Sequence, residues 1–288
     1  MIERAIAFGE NDCLVGTICL PIGAKTSSAS VGVILFNAGF IHRIGPHRLN
    51  VRLARRLASH GIPTIRFDLA GVGDSARAAS RRTFETQAVV DLQAAMDVLG
   101  TASRTKRFSL FGFCSGAYHG YAASLIDERI VGLFIYDAYR YATVKSSLNR
   151  YQMRIRQHGL LRAVGGWAWR TISAIWTRIR GRGDDARTAD VGFITKGTSK
   201  AELASGLRKL ADRGVKIAFV FSGGAYDIYN YRNQFFDAFN RFGTMEFVSV
   251  EFLPELDHVA TSIAGQTELM NCFEVWIKEV APQICSAS

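Results

Sequence analysis

Apolar, β-branched runs alternate with amphipathic stretches along most of the chain, which is the pattern of βαβ units laid on a parallel sheet. The runs predict strands over 31–36, 64–67, 108–111, 130–136, 216–221 and 246–250, with 14–19 adding an antiparallel strand at the sheet edge. Spacings of three and four predict helices over 48–59, 84–99, 116–125, 200–212, 231–241 and 268–280. His60-Gly61 followed by Pro63 marks a helix stop and then a strand start.

The alternation breaks once, between about 140 and 200. Leu161, Val164, Ala168, Ile172, Ile175 and Ile179 form one apolar stripe at helical spacing there, interrupted at Gly165-Gly166 and at 181–185. This stretch reads as a helical cap inserted into an α/β core, so the core divides into 1–139 and 201–288 around an insertion at 140–200. At 288 residues the chain has room for one such insertion, not for a second full domain.

Charge sharpens that division. The chain carries 35 Lys and Arg against 25 Asp and Glu. Between Ala138 and Gly183 stand ten basic residues and no acid, so the whole excess of +10 lies in that segment and the rest of the chain balances at 25 of each sign. Trp167, Trp169 and Trp176 are interleaved with these cations. Three readings stay open for the segment: a solvated cap face, a dock for an acyl carrier protein or the phosphates of coenzyme A, and, less favoured, a membrane surface. No nucleic-acid-binding motif accompanies the charge. No stretch reaches the roughly 18 apolar residues of a membrane span, and the start of the chain lacks a basic, apolar leader. Five scattered cysteines, odd in number and without metal-ligand spacing, suit reduced thiols. Together these predict a soluble, cytoplasmic protein.

Chemistry enters at Gly112-Phe113-Cys114-Ser115-Gly116, placed between a strand and a helix. This is the G-x-S-x-G nucleophile elbow with cysteine at its centre. Such a turn is sharp and strained, so the flanking positions must lack a β-carbon, and it presents its central side chain at a helix N-terminus, where a thiolate is favoured. An ordinary glycine-rich turn around a buried thiol is the bland alternative. The order nucleophile, acid, histidine then leads to two later loops. Ser222-Gly223-Gly224-Ala225-Tyr226-Asp227 follows one strand and delivers an acid; Leu253-Pro254-Glu255-Leu256-Asp257-His258 follows the next and delivers a histidine. The expected triad is Cys114, Asp227 and His258, with Asp257 and Asp137 as the runner-up acids.

At these residues the sequence resembles the α/β-hydrolase superfamily over nearly its whole length, and looks closest to a hydrolase and aminopeptidase-like branch. Asn37-Ala38-Gly39-Phe40 after an early strand, Asp68 to Ser75 after the next, the elbow and the final Asp-His pair carry the match. The resemblance implies an oxyanion hole from the backbone N–H groups of Phe40 and Ser115, and no cofactor. Two departures stand out: Ala38 where the family usually has histidine, and Cys114 where it usually has serine. Dienelactone hydrolases and polyhydroxyalkanoate synthases resemble it in using Cys-His-Asp, the latter on coenzyme A thioesters. A thiolate exchanges readily with a thioester because entering and leaving thiols have similar basicity. The expected function is therefore acyl transfer, to water or another acceptor, from a thioester or ester through an acyl-Cys114 intermediate. A non-catalytic binding protein on the same scaffold is the alternative.

Weaker signals surround this core. Gly71-Val72-Gly73-Asp74-Ser75-Ala76 fits a dinucleotide fingerprint by letter, but it is not in the first βα turn and lacks the later acidic strand end. His42, Arg43 and His47 crowd the loop beside the expected oxyanion hole, and His119 lies five residues past Cys114; each is a candidate substrate contact and equally a solvated or helix-packed side chain. These histidines have no metal-ligand spacing.

Overall fold

A computed structural model describes residues 1–22, 31–158 and 198–281 of the 288. Eight strands form one sheet: β1 (Ile2–Phe8), β2 (Leu14–Leu20), β3 (Gly32–Leu35), β4 (Thr64–Phe67), β5 (Phe108–Phe113), β6 (Ile130–Tyr136), β7 (Lys216–Ser222) and β8 (Val248–Leu253). Their order is β1-β2-β4-β3-β5-β6-β7-β8. β1 and β2 pair antiparallel, as do β2 and β4; every later pairing is parallel. The helices are α1 (Leu49–Ser59), α2 (Phe84–Ser103), α3 (Gly116–Ile126), α4 (Val144–His158), α5 (Lys200–Asp212), α6 (Gln234–Phe239) and α7 (Ile263–Val280). No helix among the described residues is long and apolar enough to cross a membrane.

Side-chain alternation divides the interior into two layers. In β6, Leu133 and Ile135 join α2, α3 and α5 on one face, while Phe134 and Tyr136 join α1 and α7 on the other. Both faces of β5, β6 and β7 are covered, so these strands read as unbroken apolar runs. Phe134 stacks on Phe111 at 5.5 Å between centroids and meets Phe273 at 5.0 Å and Trp276 at 5.3 Å. Each such ring contributes about 1.5–3 kcal/mol by burial. Together they clamp α7 to the sheet, and with it the loop that enters α7 from β8.

Two sequence expectations need revision here. The strand at 14–19 is antiparallel as expected, but β1 lies outside it and is the true edge. Most residues of β1 face solvent, so it carries no continuous apolar run that would mark it as a strand in the sequence. The helix expected over 231–241 is shortened to α6 and a following 3₁₀ turn over Asn240–Phe242. Of the insertion at 140–200, α4 and the start of α5 are described. The stripe from Leu161 to Ile179, the three tryptophans and the basic residues beyond α4 lie outside the described residues.

Candidate active site

β5 ends at the centre of the sheet and turns abruptly into α3. Cys114 makes the turn with φ 50°, a left-handed conformation that a β-carbon makes costly. Its N–H donates to the Tyr136 carbonyl at 2.9 Å, fastening the turn to β6. The flanking glycines are there for space. A β-carbon on Gly112 would come within 2.6 Å of the Ala117 Cα, and one on Gly116 within 2.5 Å of the Asn37 carbonyl oxygen. The loop after β3 is thus packed against the elbow, and the Gly39 N–H donates to Ser115 Oγ at 2.6 Å. Phe40 rides on this loop with its side chain almost fully exposed.

His258 approaches from the loop between β8 and α7. Tyr136 Oη donates to the Asp257 carbonyl at 2.8 Å, and the Gly224 N–H donates to the Leu256 carbonyl at 3.2 Å. The Phe113 ring lies 5.1 Å from the imidazole. The Cys114 sulfur and the His258 ring are close enough that each stabilises the charged form of the other.

The acid at the other ring nitrogen is Asp137, not Asp227: its Oδ2 lies 2.8 Å from His258 Nδ1. Asp137 follows β6 directly, adopts φ 54° and is 1% exposed. Its N–H donates to the Val220 carbonyl at 2.9 Å, and its carboxylate accepts from the Ser222 N–H at 2.8 Å and Ser222 Oγ at 2.5 Å. Asp227 is exposed, one strand further along, where its carbonyl accepts from Arg150 of α4. Asp257 is committed elsewhere, its carboxylate accepting from the N–H groups of Val259 and Thr261. Both Asp137 and Asp227 stand just past a strand end, so chain order alone did not separate them. Ser222 was not singled out from the sequence, since a serine at a strand end carries no signal of its own.

Electrostatics within the cluster favour charge separation. Burial raises the Cys114 thiol, but its hydrogen bond to His258, the charge of His258, the Ser115 N–H and the charge of Arg140 together outweigh burial and hold it below the ordinary thiol value. Burial disfavours the His258 imidazolium, yet Asp137 and Cys114 outweigh it and push it up to about 9 from 6.5. The two groups titrate as a pair, each favouring the charged form of the other. Elsewhere burial pushes Cys19 and Cys272 up to about 11 and also raises Cys13. Among the described cysteines, Cys114 alone is lowered.

The other expected contacts are placed differently. Arg43 Nη1 donates to Asp68 Oδ2 at 2.5 Å and Asp74 Oδ2 at 2.6 Å, and its N–H donates to Asp68 Oδ1 at 2.6 Å. His42 Nε2 lies 3.1 Å from Asp74 Oδ2. Asn37 Nδ2 also donates to buried Asp68, at 2.8 Å. These bonds tie the loop after β3 to the loop after β4 and leave Arg43 engaged by two carboxylates. His42, Asp68 and Asp74 have ligand atoms within 4.8 Å of one another, but the Arg43 guanidinium already bridges the two acids. His47 is exposed beside α1, and His119 packs edge-on against Phe84 at 5.4 Å.

This architecture has many relatives among solved structures. The meta-cleavage product hydrolase of Pseudomonas fluorescens IP01 aligns over 96% of this chain and 97% of its own, at TM-score 0.56 and 11% identity. A lid-free α/β serine hydrolase from Xanthomonas campestris aligns over 100% and 96%, at TM-score 0.53 and 14% identity. Proline iminopeptidase of Mycobacterium smegmatis aligns over 97% and 98%, at TM-score 0.51 and 13% identity. The fold is that of the α/β hydrolases. No protein-family model and no curated protein matches the sequence, so this likeness is one of backbone. In the α/β-hydrolase frame Cys114 occupies the elbow between the central strand and its helix, and Asp137 and His258 come from the loops after β6 and β8.

Proposed function

We propose that the protein is an acyl-transfer enzyme working through Cys114, His258 and Asp137 on thioesters or esters. The observation that carries this is the strained elbow cysteine, electrostatically coupled to a histidine whose Nδ1 meets a buried, doubly hydrogen-bonded aspartate. The Cys114 thiolate attacks the acyl carbon, forming the C–S bond and moving the carbonyl π pair onto oxygen. Collapse expels the leaving thiol or alcohol, which takes its proton from the His258 imidazolium, and leaves acyl-Cys114. His258, now neutral, removes a proton from water or another acceptor, whose attack forms a second tetrahedral intermediate. Collapse of that intermediate returns the thiolate, and His258 keeps the proton it took. Asp137 holds the ring orientation and stabilises the imidazolium. The N–H groups of Phe40 and Ser115 are proposed to receive the developing oxyanion, on a loop that Asp68 and Ser115 Oγ hold against the elbow.

Thioesters are favoured over amides, because a thiolate is a better leaving group than an amine and would be expelled back from an amide adduct. An acyl carrier protein or coenzyme A fits the basic stretch within 140–200, whose attraction for an anionic carrier would weaken with salt. The test is intact mass after mixing with a panel of acyl thioesters. A single acyl increment in the wild type, absent in Cys114→Ala, is the expected result. No increment with any ester or thioester would favour a non-catalytic binding role instead.

A further inference from the structure

The chain turns sharply just past Asp137. Asp137 and Tyr139 both have positive φ, 54° and 55°, and Ala138, Tyr139 and Arg140 are all buried. Tyr139 is fixed by edge-on packing against Tyr118 at 4.6 Å and Tyr121 at 5.6 Å between centroids. Arg140 follows Tyr139 directly, within range for its charge to act on Tyr118, on the helix that starts at the elbow. Arg140 is 9% exposed, and among the described residues its buried Nε has no hydrogen-bond partner. Among the described residues its guanidinium forms no salt bridge, in contrast to Arg43, Arg66 and Arg129, each of which meets a carboxylate. The Tyr118 hydroxyl is buried as well and, among the described residues, has no acceptor for its proton. The Arg140 charge acts on both Cys114 and Tyr118.

Buried donors without acceptors are costly, and a buried guanidinium more so than a hydroxyl. Two of them, one on the elbow helix and one on the turn packed against it, fit a ligand that supplies the missing acceptors. We infer that Arg140 and Tyr118 form a carboxylate-recognition subsite beside Cys114, so that the preferred substrates are thioesters or esters carrying a free carboxylate. The substrate assignment rests on the acyl-transfer reading above; the subsite itself does not. A carboxylate suits it better than a phosphate: one negative charge balances one guanidinium, and the planar group matches the fork of Arg with an oxygen left for the phenol. Arg140 is then a specificity-determining residue, distinct from the proton-transfer groups.

Two thioesters of N-acetylcysteamine provide the test, the succinyl compound and its neutral isostere 4-oxopentanoyl, compared by kcat/KM. The wild type should favour the succinyl compound by about tenfold to a hundredfold, the range of hydrogen bonds to a charged group. Arg140→Gln should bring that ratio close to one, and Tyr118→Phe should reduce it by about threefold. Folding is followed by circular dichroism. If R140Q does not fold, Arg140→Lys, which keeps the charge but loses the fork, should show a partial loss of preference. A wild-type ratio near one, or a ratio unchanged in every folded variant, overturns the subsite. An equal loss on both substrates with a shifted acid limb in the pH profile would mean that Arg140 serves only the thiol, and that too overturns it. If neither compound acylates the wild type and the wider thioester panel gives no adduct either, the acyl-transfer reading fails separately. Titration with glutarate then decides the subsite: saturable binding weakened in R140Q supports it, and no binding overturns it.

Discussion

The loop after β6 and the loop after β7 make an instructive pair. Each leaves the carboxyl end of an interior parallel strand, and each carries an aspartate within a few residues of the strand end. In the first, Asp137 is buried, takes a left-handed backbone, and receives two hydrogen bonds from Ser222 and one contact from His258. In the second, Asp227 is exposed and its backbone serves to seat α4. Position along the chain is nearly equivalent, yet only one acid is desolvated and aimed at the histidine. A carboxylate needs both to hold an imidazolium in place, because burial strengthens the interaction and preformed donors fix its direction.

The largest expected effect is loss of the nucleophile. Cys114→Ala should remove both turnover and the acyl adduct; Asp137 and His258 would then be left with no acyl acceptor to activate. Full wild-type turnover in this variant would falsify covalent catalysis at Cys114.

Next comes the direct contrast between the two acids. Asp137→Asn should cut kcat by about 10⁴-fold, the size of effect seen when the orienting aspartate of a triad is neutralised. Asp227→Asn should stay within about threefold of wild type, as expected for an exposed residue away from the chemistry. Comparable losses in both variants would erase the distinction drawn between the loops.

The pH profile sharpens the same point. Cys114 is lowered and His258 is raised to about 9, so kcat/KM should rise as the thiol loses its proton below its ordinary value and fall as the imidazolium loses its proton near pH 9. Asp137→Asn removes a cause of the His258 elevation, and the alkaline limb should move to lower pH. Stability follows with a definite sign. A histidine whose folded value lies above its unfolded one stabilises fully below the unfolded value of 6.5 and loses that contribution as pH rises through about 9. The stability gap between wild type and Asp137→Asn, read by chemical denaturation, should therefore be widest at pH 6 and narrow by pH 10.

The smallest effect concerns the elbow's geometry. Gly116→Ala should destabilise by about 1–3 kcal/mol, as overpacking does, because the new methyl would press on the Asn37 carbonyl. A melting temperature unchanged from wild type would show that the loop after β3 can retreat.

Hydrophobic period and local turn chemistry made much of this molecule legible in advance. The strands at 64–67 and 130–136 and the helix at 200–212 coincide with β4, β6 and α5, because strands buried on both faces and an amphipathic helix declare themselves within a few residues. Gly112, Cys114 and Gly116 were readable as an elbow because the strain is local: only glycine leaves room on either side of so sharp a turn. β1 escaped because its stabilisation comes from pairing with β2 rather than from a buried face of its own. The identity of the acid, and the isolation of Arg140 and Tyr118, belonged to the tertiary structure. Hydrogen-bond partners such as Ser222 for Asp137, 85 residues away, and His258, 121 residues away, meet only when the sheet sets β6, β7 and β8 side by side. Burial, which converts a carboxylate or a guanidinium from a solvated charge into a committed interaction, is a property of that packing and not of any stretch of sequence.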